Sequence, residues 1–239
     1  MQSFGWVIIG IICILATSAQ STPVPRESEK LSPEFIFQAK LHGFLLWASV
    51  GFLMPVGILI IRISNRVQCS KKRRILFYSH VIFQMSAVLL ATVAAALSIK
   101  KFENSFSNTH QKVGLGLYGL ILAQPLIGFL RPLRGVKSRS MWYAVHWLLG
   151  TAICITGMMN IYLGMHGYYK MTSKSLRIWT PLLTVQVVLM AFIHLLQDRW
   201  DHIKKQGMIL REEQISPGDI QITDSPGRSS DHKGFPSIL

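Results

Sequence analysis

The sequence predicts an all-α membrane protein: a five-span helical bundle preceded by a cleavable signal peptide. Three observations carry that reading. Half of the 239 residues are hydrophobic and only 15% are charged, whereas a soluble domain carries roughly a quarter charged residues. The apolar residues fall in five long runs, each near the ~20 residues that a helix needs to cross a bilayer. The net charge of +14 is concentrated in alternate connections between those runs, as topology demands. A soluble domain with a solvated shell is excluded. The three cysteines, Cys13, Cys69 and Cys154, form no C-x-x-C pair, so neither a disulfide framework nor a zinc site is encoded.

The first element, Val7 to Leu15, is apolar but too short to span. Thr17 and Ala19 follow it in an A-x-A-like arrangement, so residues 1–19 read as a secretory signal peptide. The start, MQSFGW, lacks the usual positive charge, which keeps an uncleaved anchor as the alternative. Residues 20–35 are polar and proline-bearing, a short extracytoplasmic linker. The membrane domain is expected over 36–204, with spans near Leu41–Ile61, Ile75–Leu97, Val113–Leu130, Trp142–Met165 and Ile178–Leu196. Each run is apolar nearly all round, as lipid-covered helices are. Residues 205–239 turn polar and then rich in Pro, Gly, Ser and Asp, and are expected to form a disordered cytoplasmic tail.

Charge sets the orientation. Arg62, Arg66, Lys71, Lys72, Arg73 and Arg74 lie between the first two spans, and Arg131, Arg134, Lys137 and Arg139 between the third and fourth. The opposite connections hold Lys100, Lys101 and Lys112, then Lys170, Lys174 and Arg177. Ten against six places the first set in the cytoplasm. The N-terminus is then outside and the C-terminus cytoplasmic, in a multi-pass protein of the plasma membrane or endomembranes. The KKRR run at 71–74 sits between two spans, so lipid contact explains it and nucleic-acid binding is set aside.

Ionisable residues inside a membrane are costly and are functional candidates by default. His42 and His110 open the first and third spans, both entered from outside. His80 and His146 lie just inside the second and fourth, both entered from the cytoplasm. Two histidines on different helices therefore fall at each of two depths. Facing imidazoles at one depth suit a six-coordinate heme iron. Without C-x-x-C-H, the heme would be non-covalent and b-type. The expectation is two heme b groups, on His42 with His110 and on His80 with His146, roughly 20 Å apart vertically or somewhat less. Gly114 and Gly150, each four residues beyond a histidine, would let a flat macrocycle approach the backbone. An interhelical hydrogen bond is the ordinary role of one intramembrane histidine. Zinc would be two ligands short at either depth.

At these residues the chain resembles the cytochrome b561 family, in the version fused behind extracellular DOMON domains. The segments that carry the resemblance are LHGFLLWASVGFLMPVG (41–57), FYSHVIFQ (77–84), THQKVGLGLYG (109–119) and GFLRPLRGVKSRSMWYAVHWLLG (128–150). The resemblance runs from Leu41 to Gln197 and implies the same histidine pairing. It also implies a transmembrane oxidoreductase that carries single electrons from cytosolic ascorbate to monodehydroascorbate or a ferric chelate. A DOMON domain is not expected here, since the linker is too short to hold one. Lys71, Lys72, Arg74, Lys137 and Arg139 are the candidate contacts to an anionic donor or to heme propionates. A homodimer is left open. A non-catalytic heme-binding or scaffolding subunit is the alternative, and a proton-coupled transporter a third reading that predicts no heme.

Weaker signals have structural explanations. Gly114-x-Gly116-x-x-Gly119 fits a dinucleotide fingerprint in letters only, because no strand precedes it, and is read as helix packing. Gln84 follows His80 by four residues and could orient it. His194 and Asp198 could pair on one helix face. Met54–Pro55 and Gln124–Pro125 mark expected kinks.

Overall fold

A computed structural model describes residues 32–102, 105–133, 135–173 and 176–214. The expected signal peptide, residues 20–31 of the linker and the tail beyond Gln214 lie outside the described residues. Every regular element among them is helical. Helix α1 (Pro33–Leu46) passes through a π turn (Trp47–Leu53) into α2 (Met54–Ser64). Then come α3 (Ser70–Lys101), α4 (Thr109–Phe129), α5 (Ser138–Thr172) and α6 (Trp179–Gln214). Counting α1 through α2 as one, five stretches are long and apolar enough to cross a membrane.

Two boundaries differ from expectation. Helix α1 starts at Pro33, inside the expected linker and eight residues before Leu41. The cause is local: Ser32 caps the helix, its Oγ accepting from the Phe35 N–H at 3.2 Å, with Pro33 in the first turn and Glu34 against the positive end of the dipole. The second difference is that α6 continues to Gln214, past residue 205 where the tail was expected to begin. Residues 205–214 (KQGMILREEQ) are mostly strong helix formers, and polarity alone does not stop a helix.

The kink expected at Met54–Pro55 takes the form of the π turn. Pro55 has no N–H to give to the Gly51 carbonyl four residues back. Gln186 of α6 supplies the missing donor, Nε2 to Gly51 O at 2.7 Å, while its Oε1 accepts from Trp47 Nε1 at 2.8 Å. The Met54 N–H reaches back five residues to Ser49 O, the wider ring that defines a π turn. The Ser49 hydroxyl donates to Ala87 O at 2.6 Å, tying the turn to α3.

The core of the bundle is Val50, Met54, Ala87, Ala91, Leu117, Ile121 and Ile153. Small residues let the helices close: at Gly157 a Cβ would overlap the Val50 side chain. The outward faces carry large apolar side chains such as Leu89, Leu126 and Phe192, which suits lipid rather than water. The chain divides into two units at His194/Leu195, and the first contains this core. The glycine fingerprint lies within α4, where only Gly114 meets a neighbour. A Cβ at Gly116 or Gly119 would find nothing within 4 Å, so the packing explanation holds at one glycine of the three.

Candidate functional site

The four intramembrane histidines gather at two levels. At the first, His42 of α1 and His110 of α4 face each other with ring centroids 6.4 Å apart and ring planes at 85°. Each ring is held by its Nδ1. His42 Nδ1 lies 3.0 Å from Ala94 O in α3, and His110 Nδ1 lies 3.0 Å from Asn160 O in α5. A carbonyl can only accept, so both Nδ1 atoms carry the proton and both Nε2 atoms present a lone pair. Phe102 packs edge-on against His42 at 5.6 Å. A cavity opens beside the two imidazoles, lined also by Gly114, Tyr118 and Asn160.

At the second level, His80 of α3 donates from Nδ1 to Gly57 O in α2 at 2.8 Å. His146 of α5 lies within electrostatic reach of His80 and of Arg131. Its ring stacks on Trp142 one turn earlier, 5.3 Å between centroids and 6° between planes. Its Nδ1 is buried with no hydrogen-bond partner. The Ile127 carbonyl nearby already accepts from Trp142 Nε1 at 2.7 Å.

Helices α3 and α5 repeat one arrangement. Each carries a second-level histidine and, fourteen residues later, the carbonyl that accepts from a first-level histidine: 80 to 94 in α3 and 146 to 160 in α5. Fourteen residues at 1.5 Å each separate the levels by about 21 Å along the helices.

Glycine makes room for the His110 ring at Gly164 and for the Gln84 side chain at Gly57. A Cβ at Gly164 would come within 2.9 Å of His110 Cε1, and one at Gly57 would strike Gln84 Nε2 at 2.5 Å. At Gly128 it would sit 3.8 Å from His146 Cε1. The two glycines singled out from sequence face carboxamides: a Cβ at Gly114 would meet Asn160 Nδ2 at 3.2 Å, and one at Gly150 would meet Gln124 Nε2 at 3.3 Å. Gln84 reaches Met54 O at 3.1 Å, a helix–helix bond rather than a contact orienting His80. His194 donates from Nδ1 to Met190 O, 3.1 Å away in its own helix.

The five candidate basic residues separate into two groups. Lys137 and Arg139 line an open cavity of about 450 Å³ together with Arg131, Ser140, Trp142 and Tyr143. Lys71, Lys72 and Arg74 are exposed on the first turns of α3 and do not line it. The Arg131 guanidinium sits over Trp142 at 5.6 Å and over Phe77 at 5.3 Å. Trp142 thus forms a wall of the cavity on one side and the packing surface of His146 on the other. Sequence reading missed Trp142, Asn160 and Gly164. The detectable signals were an aromatic four residues before His146 and a carboxamide inside a span.

Residues 41–172 match the eukaryotic cytochrome b561 family. A cytochrome b561 domain-containing protein of Arabidopsis thaliana is 48% identical over 189 residues, covering 79% of this chain and 74% of the relative. A cytochrome b561 and DOMON domain-containing protein of the same plant is 31% identical over 128 residues, 52% of this chain but 31% of that one. A second protein of that type is 29% identical over 126 residues, 31% of its length. The chain therefore spans about a third of these DOMON-bearing relatives. No solved structure matches it significantly. The chain belongs to the eukaryotic cytochrome b561 family of membrane-embedded, b-type heme proteins of electron transport.

Proposed function

We propose that this chain carries single electrons across a membrane, with His42 and His110 holding one heme b and His80 and His146 a second. The observation that carries the reading is the first-level pair. One metal ion held by both imidazoles, with bonds of about 2 Å, would need their ring centroids about 6 Å apart. The 6.4 Å separation of His42 and His110 supports such ligation, as do the Nδ1 protons donated to Ala94 O and Asn160 O. At the second level, the buried unpartnered nitrogen of His146 fits the same cofactor.

Bound heme would supply the one-electron couple. The protein supplies the rest. Main-chain carbonyls hold three of the four imidazoles in the tautomer that can ligate. The core around Val50, Ala87 and Ile153 keeps water from the space between the levels. By the distribution of basic loops, the second level lies toward the cytoplasm. Arg131, Lys137 and Arg139 surround the cavity beside Trp142 and attract an anionic reductant, for which ascorbate is the natural choice. The acceptor on the outer or lumenal side is monodehydroascorbate or a ferric chelate.

The test is the reduced-minus-oxidised spectrum of the detergent-purified protein, with heme quantified per chain, first with dithionite and then with ascorbate alone. Two b hemes per chain, largely reduced by ascorbate, is the expected result. A chain that binds no heme when heme is plentiful would overturn the reading. Two hemes that ascorbate leaves oxidised would overturn the donor assignment alone.

A further inference from the structure

Asn160 is 4% exposed within a membrane-spanning helix. A carboxamide there is costly unless its hydrogen bonds are met. Its main-chain carbonyl accepts from His110 Nδ1 at 3.0 Å, and its buried Oδ1, which meets no other donor, lies close enough to act on the same ring. The side chain forms part of the wall of the cavity that holds His42 and His110. Gly114 faces it from α4, leaving 3.2 Å between Nδ2 and the place a Cβ would occupy. Leucine shares the branching at Cγ and carries no polar atoms, so filling this space does not by itself call for a carboxamide. A buried acceptor on a cavity wall, with no donor but the His110 ring in reach, needs another explanation.

We propose that Asn160 is a positioning residue for the first-level cofactor, its carbonyl holding His110 and its carboxamide setting the midpoint potential at that level. The inference rests on the reading that His42 and His110 hold a heme. Inside the bundle the effective dielectric is low, so a fixed dipole acts strongly on a nearby change of charge. A carboxamide oxygen beside the site favours the more positive, oxidised state, and hydrogen-bond acceptors and dipoles around a heme are recognised levers on its potential. His110 would hold the metal, while Asn160 would act through His110 and across the cavity.

The experiment is a potentiometric titration of detergent-purified Asn160→Leu and Asn160→Asp proteins, with heme counted per chain. The levels are assigned against His42→Ala, which keeps the second alone. Asn160→Leu is expected to raise the first-level midpoint and Asn160→Asp to lower it. Each shift should be about tenfold in the reduction equilibrium, 59 mV for a one-electron couple. The second-level midpoint stays at its wild-type value. Opposite signs from the two variants would not arise from a packing defect. Wild-type midpoints in both fully loaded variants would overturn the proposal, as would an equal shift at both levels. Loss of the first-level heme in Asn160→Leu, with Asn160→Asp loaded at the wild-type midpoint, would also overturn it by reducing the residue to a packing role. A wild-type chain without first-level heme would overturn the underlying reading instead.

Discussion

The two histidine levels use the same residue type on the same four-helix frame, yet they are held differently. At the first, both imidazoles donate Nδ1–H to main-chain carbonyls of neighbouring helices. At the second, His80 has such a partner in Gly57 O, while His146 has none and rests on Trp142. The first level is thus fixed by directional bonds on both sides, the second by one bond and one stacking contact. The difference also follows surroundings. The first level borders a cavity inside the bundle, whereas the second adjoins the basic cavity around Arg131. On the proposed function, the firmer pair suits storage and spacing, and the less constrained ring suits the side where a donor would arrive.

The largest expected effect tests whether the levels are separable. Replacing His80 or His146 by alanine should reduce bound heme from two per chain to one and leave the first-level spectrum intact. Loss of both spectra in a folded protein would show that the levels form one cooperative unit. Next in size is Gly164→Val, whose added side chain would displace the His110 ring. Its expected outcome is loss of first-level heme alone, with a fall in stability of about 1–3 kcal/mol by thermal denaturation. A smaller effect concerns retention. An Nδ1 hydrogen bond commonly changes metal affinity by about 10–100-fold, so an excess of apomyoglobin should strip the second level first. Equal loss rates would remove the contrast drawn between His146 and the other three rings. The smallest effect is electrostatic. Lys137→Gln combined with Arg139→Gln should raise the KM for ascorbate roughly fivefold, in keeping with exposed charges worth up to about 1 kcal/mol. Lys71→Gln with Lys72→Gln should leave KM close to wild type, and a larger effect from that pair would relocate the donor.

Much of this was legible in the residues themselves. Long apolar runs identify the spans because no water is available inside a bilayer to satisfy an irregular backbone. Helical rise converts the positions of His42, His80, His110 and His146 into depths. What escaped notice depends on tertiary contact. Nothing in the string of letters says that Ala94 or Asn160 will offer a carbonyl to a histidine, since every residue has one. Nor does it say that Gln186, more than 130 positions away, will satisfy the Gly51 carbonyl. The Ser32-Pro33-Glu34 start of α1 was legible but was outweighed by the proline's appearance in a polar stretch. The extension of α6 to Gln214 was masked because polarity in a helix resembles polarity in a coil.

The first span, with its π turn at Trp47–Leu53, is sensitive to residue count in a way that hydropathy cannot register. The turn lies between His42 and Gly57, so it sets the angle between the element that faces the first level and the element that serves the second. Removing one residue from the regular helix between His42 and the turn would rotate everything upstream by about 100° and draw it in by about 1.5 Å. His42 would swing away from His110 while the span kept its apolar character and its place in the membrane. A single-codon deletion, silent to any profile of hydrophobicity, would separate the two halves of the proposed heme site. For this fold the count of residues between two histidines is as much a part of the site as the histidines.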